Sequence, residues 1–166
     1  MDINICKKNY DDISLIYKFE YPYKSENKYE STRNIYEKFF AKLILSYNNY
    51  NFIDRIKSVK KEINNLSSKK NKEAKIYEES IQQFEQKVKA TRAKISDDYL
   101  DIYFMMFKFD DNFIKYEDNK EAGEIFDKIM KSILNEGSKK CIQYEKKLIA
   151  FNDYLIDLKN KLNNIN

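Results

Sequence analysis

The most apolar stretch of the chain runs from Tyr99 to Phe109, where nine of eleven residues are aliphatic or aromatic. Asp101 and Lys108 are the only charged residues inside it. A helix that is apolar on nearly every side needs neighbours to cover it, so this stretch predicts a central buried helix over about residues 97–116. A membrane span needs about 20 apolar residues, and this run is shorter, with aspartates on both sides. We therefore expect no membrane insertion.

Before this stretch, a polar segment at residues 67–72 lies between two amphipathic segments. On either side of it, apolar residues follow at steps of three and four, as on one face of a helix. One unbroken helix would place Lys60, Ser67 and Lys70 on that apolar face. The pattern therefore favours two antiparallel helices, a helical hairpin over about residues 51–95. The positions that define the face are Ile53, Ile56, Ile63, Ala74, Tyr77, Ile81, Phe84, Val88, Thr91 and Ile95.

A further helix is predicted upstream of the hairpin. Its apolar stripe also has three- and four-residue steps, and Ser31 or Thr32 is expected to cap its first turn. The asparagine-rich segment at residues 48–51 should interrupt or bend it. The stripe consists of Ile35, Tyr36, Phe39, Phe40, Leu43, Ile44 and Tyr47.

Start and stop signals divide the second half of the chain into three helices. Ser96 precedes two aspartates, so its hydroxyl and the negative charges predict a helix start. A second helix should begin near residue 120 and end at Gly137 in a left-handed cap. Ser138 then opens the last helix. Its heptad seam is Cys141, Tyr144, Leu148, Phe151, Leu155, Leu158, Leu162 and Ile165.

Residues 1–30 carry the weakest pattern, since Ile13 to Tyr21 alternates like a strand while aspartates upstream offer a helix cap. A short helix is slightly favoured over an extended segment there. The chain has only two glycines and one proline, and scarce breakers favour helix. The sequence therefore predicts an all-α fold, an irregular helical bundle of about six helices that forms a single domain over residues 1–166.

The composition of the chain excludes most kinds of catalytic site. Histidine is absent, which excludes the commonest general base and metal ligand, and two isolated glycines form no phosphate-binding loop. The two cysteines lack the grouping of a zinc site. Aspartates at both ends of the predicted central helix offer oxygen ligands for Mg²⁺, but capping is their commoner role. We expect a protein that is not an enzyme and has no metal or cofactor. The aspartates are Asp97, Asp98, Asp101, Asp110 and Asp111.

Positive charge is concentrated in the hairpin, where residues 55–95 carry twelve basic and five acidic side chains. Lysines around a hairpin tip can bind a phosphate backbone through charge alone. Because only three of the 31 basic residues are arginine, such binding would not select a sequence. A solvated tip is the commoner use of such a run, so nucleic-acid binding is the alternative hypothesis. Its candidate residues are Arg55, Lys57, Lys60, Lys61, Lys69, Lys70, Lys72 and Lys75.

The favoured function is non-catalytic binding of a protein partner, as a regulator, inhibitor or assembly subunit. Aromatic residues make up 15% of the chain and include 14 tyrosines, a residue type enriched at interfaces. Heptad seams also accept partner helices, so self-association through them is a second expectation. The N-terminus has no long apolar segment after its first charges, and two isolated cysteines suit a reducing compartment. We therefore expect a cytoplasmic protein.

Overall fold

The computed structural model describes Ile13, Tyr17 and residues 28–68, 72–113 and 120–165. These residues form helices and no strand, which confirms the all-α prediction for this part of the chain. The prediction of about six helices is wrong, because the described residues form three long helical stretches, the first broken at Asn51. Most of the prediction for residues 1–30 lies outside the described residues. The helices are α1 (Lys28–Tyr50), α2 (Phe52–Ser68), α3 (Lys72–Phe113) and α4 (Lys120–Asn163).

Asn51 is the residue that separates α1 from α2. Its φ is 52°, a left-handed conformation that asparagine tolerates better than most other residues do. The Asn51 carbonyl then accepts a hydrogen bond from the Arg55 amide at 3.1 Å, which opens α2. The interruption predicted at residues 48–51 is therefore confirmed. The predicted cap at Ser31 or Thr32 is wrong, since α1 begins at Lys28 and the preceding residues 28–30 contain no breaker.

The predicted hairpin is confirmed in α2 and the first part of α3. Lys60 Nζ lies 3.0 Å from Glu85 Oε1, which joins the two helices 25 residues apart in sequence. A pair that far apart, with the connection at residues 69–71, requires antiparallel helices. The connection itself lies outside the described residues. The buried side of α2 consists of Phe52, Ile56, Val59 and Ile63.

The predicted central buried helix over residues 97–116 is wrong in its start and in its burial. α3 passes through Ser96 without a break, and only Ile102 and Met106 of its second half are buried hydrophobics among the described side chains. These two continue the spacing of Val88 and Ile95, so the uninterrupted seam outweighs the cap signal of Ser96. The predicted end near residue 116 lies outside the described residues.

Gly137 does not end a helix, because α4 passes through it and no described glycine has positive φ. The residue occupies a seam position itself, with Leu134 three residues before it and Cys141 four residues after. A Cβ built at Gly137 would lie 2.6 Å from Cε2 of Tyr36 and 2.8 Å from its Cδ2. Glycine is therefore required at this position for close approach of an aromatic ring of α1, and the helix continues because its apolar register does.

The chain divides into two compact units, one with residues 1–44 and 96–146 and the other with residues 45–95 and 147–166. In the second unit, Phe151 of α4 makes edge-to-face ring contacts with Phe52 of α2 at 5.9 Å and Phe84 of α3 at 5.4 Å. In the first unit, Tyr99 of α3 stacks on Tyr36 and Phe40 of α1. Each unit therefore has an aromatic core. The single domain over residues 1–166 stays a prediction.

Candidate functional site

Four large apolar side chains in the second half of α3 are exposed, namely Met105 at 48% and three others that share one face of the helix. Leu100 is 45% exposed, Phe104 is 62% exposed and Phe107 is 45% exposed. Their spacing of four and then three residues places them on one face of the helix. We call Leu100, Phe104 and Phe107 the apolar stripe.

The seam of α3 explains why these residues are exposed. On an ideal helix the centre of the apolar stripe lies roughly 150° from the midpoint of Ile102 and Met106. Both of those residues are buried, with Met106 at 0% exposure. The side chains on the opposite face are 45–62% exposed, so the apolar stripe is turned to solvent.

Residues in and beside the apolar stripe contact side chains of α1. Tyr99 stacks on Phe40 with ring centroids 3.9 Å apart, and Tyr36 donates a 3.3 Å hydrogen bond to the Tyr99 carbonyl. The Phe107 ring lies 5.7 Å from the Arg33 guanidinium carbon of α1, a cation–π contact. These contacts hold the backbone at Tyr99 and the ring of Phe107 against α1.

The charged side chains in the second half of α3 lie on two different sides of the helix. Asp98 is turned towards α4, where it accepts a hydrogen bond from the Tyr144 hydroxyl and lies 3.6 Å from Lys140 Nζ. Burial, and then this bond to Asp98, raises the pKa of Tyr144 well above its ordinary value. Asp101 and Lys108 are exposed and follow the apolar stripe on one side. Their positions give that side one charge of each sign, a heptad apart.

A buried polar cluster lies in the first unit away from the apolar stripe. The Tyr17 hydroxyl donates a 3.0 Å hydrogen bond to Glu145 Oε1, and Ser138 Oγ donates to the Tyr17 carbonyl at 2.7 Å. Burial raises the pKa of the nearby Cys141 thiol to about 12, and Glu145 adds to that rise. The thiol is therefore protonated at neutral pH and packs as a small apolar residue. The cluster fastens Tyr17 to α4 rather than presenting a reactive group.

The eight basic residues predicted for nucleic acid do not form one free surface. Arg55 donates to the Tyr50 carbonyl at 3.1 Å and to Asn152 Oδ1 at 2.8 Å, and Lys60 is paired with Glu85. Lys69 and Lys70 lie outside the described residues. The four that the structure leaves exposed are Lys57, Lys61, Lys72 and Lys75.

A groove between α2 and α3 offers the hairpin a small concave site. Its volume is about 180 Å³, which is below the roughly 300–1,000 Å³ of typical ligand pockets. Lys60 and Glu78 stand on opposite walls of it, with Ile63 and Ile81 as its apolar part. The groove lies between the two helices of the hairpin, and its lining contains no cluster of reactive groups.

Within the described ranges, no group of three or more cysteine, aspartate and glutamate side chains could hold a metal ion. No helix of the part that the structure describes is long and apolar enough to cross a membrane. Comparison with protein-family models, with curated proteins and with solved structures found no match.

The apolar stripe is the feature that sequence reasoning misplaced. Its residues lie in the run that predicts a buried helix, so the sequence places them in the core. The signal that could have located them is the phase of the seam, since Val88, Ile95 and Ile102 follow at seven-residue steps. Extending that series leaves the apolar stripe on the opposite side of α3.

Proposed function

We propose that this chain is a non-catalytic helical protein that binds a protein partner through the apolar stripe, as a regulator, inhibitor or assembly subunit. The observation that carries the proposal is the exposure of Leu100, Phe104 and Phe107 along one face of α3. Aligned aromatic and aliphatic side chains on an ordered helix are the usual anchors of a helix-binding interface.

The energetics of the exposed face support the proposal. A fully buried Phe removes roughly 150–250 Å² from water, so two half-exposed rings and one Leu leave a substantial apolar area. Burying apolar area contributes about 25 cal/mol per Å². Scattered single hydrophobics are ordinary on a protein surface, whereas an aligned group is typical of an interaction site.

Phe104→Asp tests the proposal directly, because Phe104 is the most exposed member of the apolar stripe. Tagged chain is used to recover partners from its native cells, with and without nuclease. We expect a protein that is recovered after nuclease treatment, and Phe104→Asp should weaken its binding by about 30-fold or more.

The matched control is Ile76→Asp, which changes a 66% exposed apolar residue of the same helix in the other unit. It should leave recovery unchanged, and circular dichroism should show both variants as helical as the wild type. Equal recovery by Phe104→Asp and wild type would exclude the apolar stripe as the binding surface.

Binding of RNA or DNA without sequence preference is the second candidate function. The observation in its favour is that Lys57, Lys61, Lys72 and Lys75 are exposed on the hairpin. Binding of an arbitrary oligonucleotide should then fall steeply as salt rises. Changing these four lysines to Glu should abolish it, whereas Lys131→Glu with Lys139→Glu, on exposed positions of α4, should not. Retained binding in the fourfold variant would exclude the hairpin lysines.

A further inference from the structure

The apolar stripe has the spacing of a helix-pairing seam. Leu100, Phe104 and Phe107 are separated by four and three residues, which are the d, a and d positions of a heptad. A second helix can pack its own side chains between them. The partner that fits must therefore present a helix with the same repeat.

The charges beside the apolar stripe distinguish between partner helices. Asp101 and Lys108 both occupy e positions, each directly after a d residue, and both are exposed. In an antiparallel pair, e positions of one helix face e positions of the other. When Phe104 faces the partner's Phe107, Asp101 lies opposite the partner's Lys108, and the two-fold axis repeats that pair.

A parallel pair lacks this match, because e positions then face g positions. The g positions that would face Asp101 and Lys108 are Ser96 and Tyr103, which are neither acidic nor basic residues. A purely basic or purely acidic partner helix also matches only one of the two flanking charges. The charge pattern of this face is therefore complementary to itself in the antiparallel orientation.

We infer that the apolar stripe binds the apolar stripe of a second copy of this chain, with the two α3 segments antiparallel and Asp101 paired with the partner's Lys108. The inference rests on the proposed function, since it names the partner of the same surface. The apolar stripe is small against the roughly 800 Å² per partner of a stable interface. The dimer should therefore be weak, with a dissociation constant in about the micromolar range.

Charge exchange tests the orientation. Sedimentation equilibrium of the full chain should show a reversible dimer, and D101K and K108D should each dimerise about tenfold or more weakly because like charges face each other twice. A 1:1 mixture of the two variants restores both attractive pairs in the heterodimer. The mixture should therefore associate more strongly than either variant alone.

Two further variants test whether the apolar stripe is the dimer interface. Phe104→Gln should remove association, whereas Lys57→Asp, an exposed charge change on α2, should leave it intact. Circular dichroism and thermal unfolding establish that each variant is folded. Dimerisation that survives Phe104→Gln, or a mixture no stronger than its components, would overturn the inference.

Different results would refute the self-association and the proposed function. If the wild type stays monomeric at hundreds of micromolar while Phe104→Asp still abolishes recovery of a different protein, the apolar stripe binds that protein and the self-association is refuted. If Phe104→Asp changes neither recovery nor mass, both are refuted.

Discussion

The two halves of α3 share one buried seam and differ on the opposite face. In residues 72–95 the exposed face is mostly polar, with Gln82, Gln86 and Lys89 on the surface. In residues 96–113 the exposed face carries the apolar stripe. The apolar residues on the outside of the second half are therefore not part of its buried seam.

The largest expected change in stability distinguishes the buried face of the second half of α3 from its exposed face. Met106→Ala removes a fully buried side chain and should lower the free energy of unfolding by about 2–5 kcal/mol. Phe104→Ala, two residues away, should change it by no more than about 0.5 kcal/mol, because its ring is mostly exposed. Urea denaturation of the monomer measures both. Similar losses for the two variants would show that the opposite face is packed as well.

The next effect concerns the polar contact that fixes the second half of α3 to α4. Tyr144→Phe removes the hydroxyl that donates to the Asp98 carboxylate and leaves that carboxylate with Lys140. Hydrogen bonds to charged groups contribute about 1.5–3 kcal/mol, so a loss of that size is expected. Tyr103→Phe, at a partly exposed position of the same half, should lose less than about 0.5 kcal/mol. An equal loss in both variants would contradict the assigned role of Tyr144.

A smaller effect should follow from filling the space that Gly137 leaves. Gly137→Ala places a methyl group against the Tyr36 ring, which packs beneath the second half of α3, and should destabilise by about 1–3 kcal/mol. Gly123→Ala in the same helix should instead stabilise by about 0.5–1 kcal/mol, through helix propensity. Thermal unfolding distinguishes the two directions. Stabilisation by Gly137→Ala would mean that the ring has room to move.

The smallest effect should come from the ion pair that joins the first half of α3 to α2. The hydrogen bond from Lys60 lowers the pKa of Glu85 below its ordinary 4.5. A depressed carboxyl pKa stabilises the fold above the unfolded-state pKa, and that contribution disappears as pH falls through the folded-state value. Lys60→Met should therefore destabilise by about 1 kcal/mol or less at pH 7. The difference should shrink in acid, whereas Lys87→Met should be neutral at both pH values.

The helical fold could be predicted because its seams are long and regular. The spacing of apolar residues from Ala74 to Ile95 correctly predicts the buried face of α3. The asparagine-rich segment correctly predicts the break at Asn51. The predicted boundaries at Ser96 and Gly137 were wrong for a common reason. Both residues are good local end signals, but in each case the heptad register continues across them, and the burial of that register outweighs a single cap.

The candidate site could be predicted only in part. The apolar character of residues 99–109 is plain in the sequence, but whether Phe104 faces a neighbour depends on where α1 and α4 pack. For the basic residues, the sequence shows how many there are but not which of them are engaged in contacts. The contacts that engage Arg55 and Lys60 depend on Asn152 and Glu85, which are distant in the chain.

The left-handed turn at Asn51 has a consequence for the packing of its unit. A residue that resists positive φ, such as Val, would strain the turn that separates α1 from α2. Phe52 directly follows this turn, and its ring makes an edge-to-face contact with Phe151 at 5.9 Å, so a shift of the turn would disturb that contact. The backbone conformation of Asn51 therefore helps to position an aromatic ring in the core of its unit.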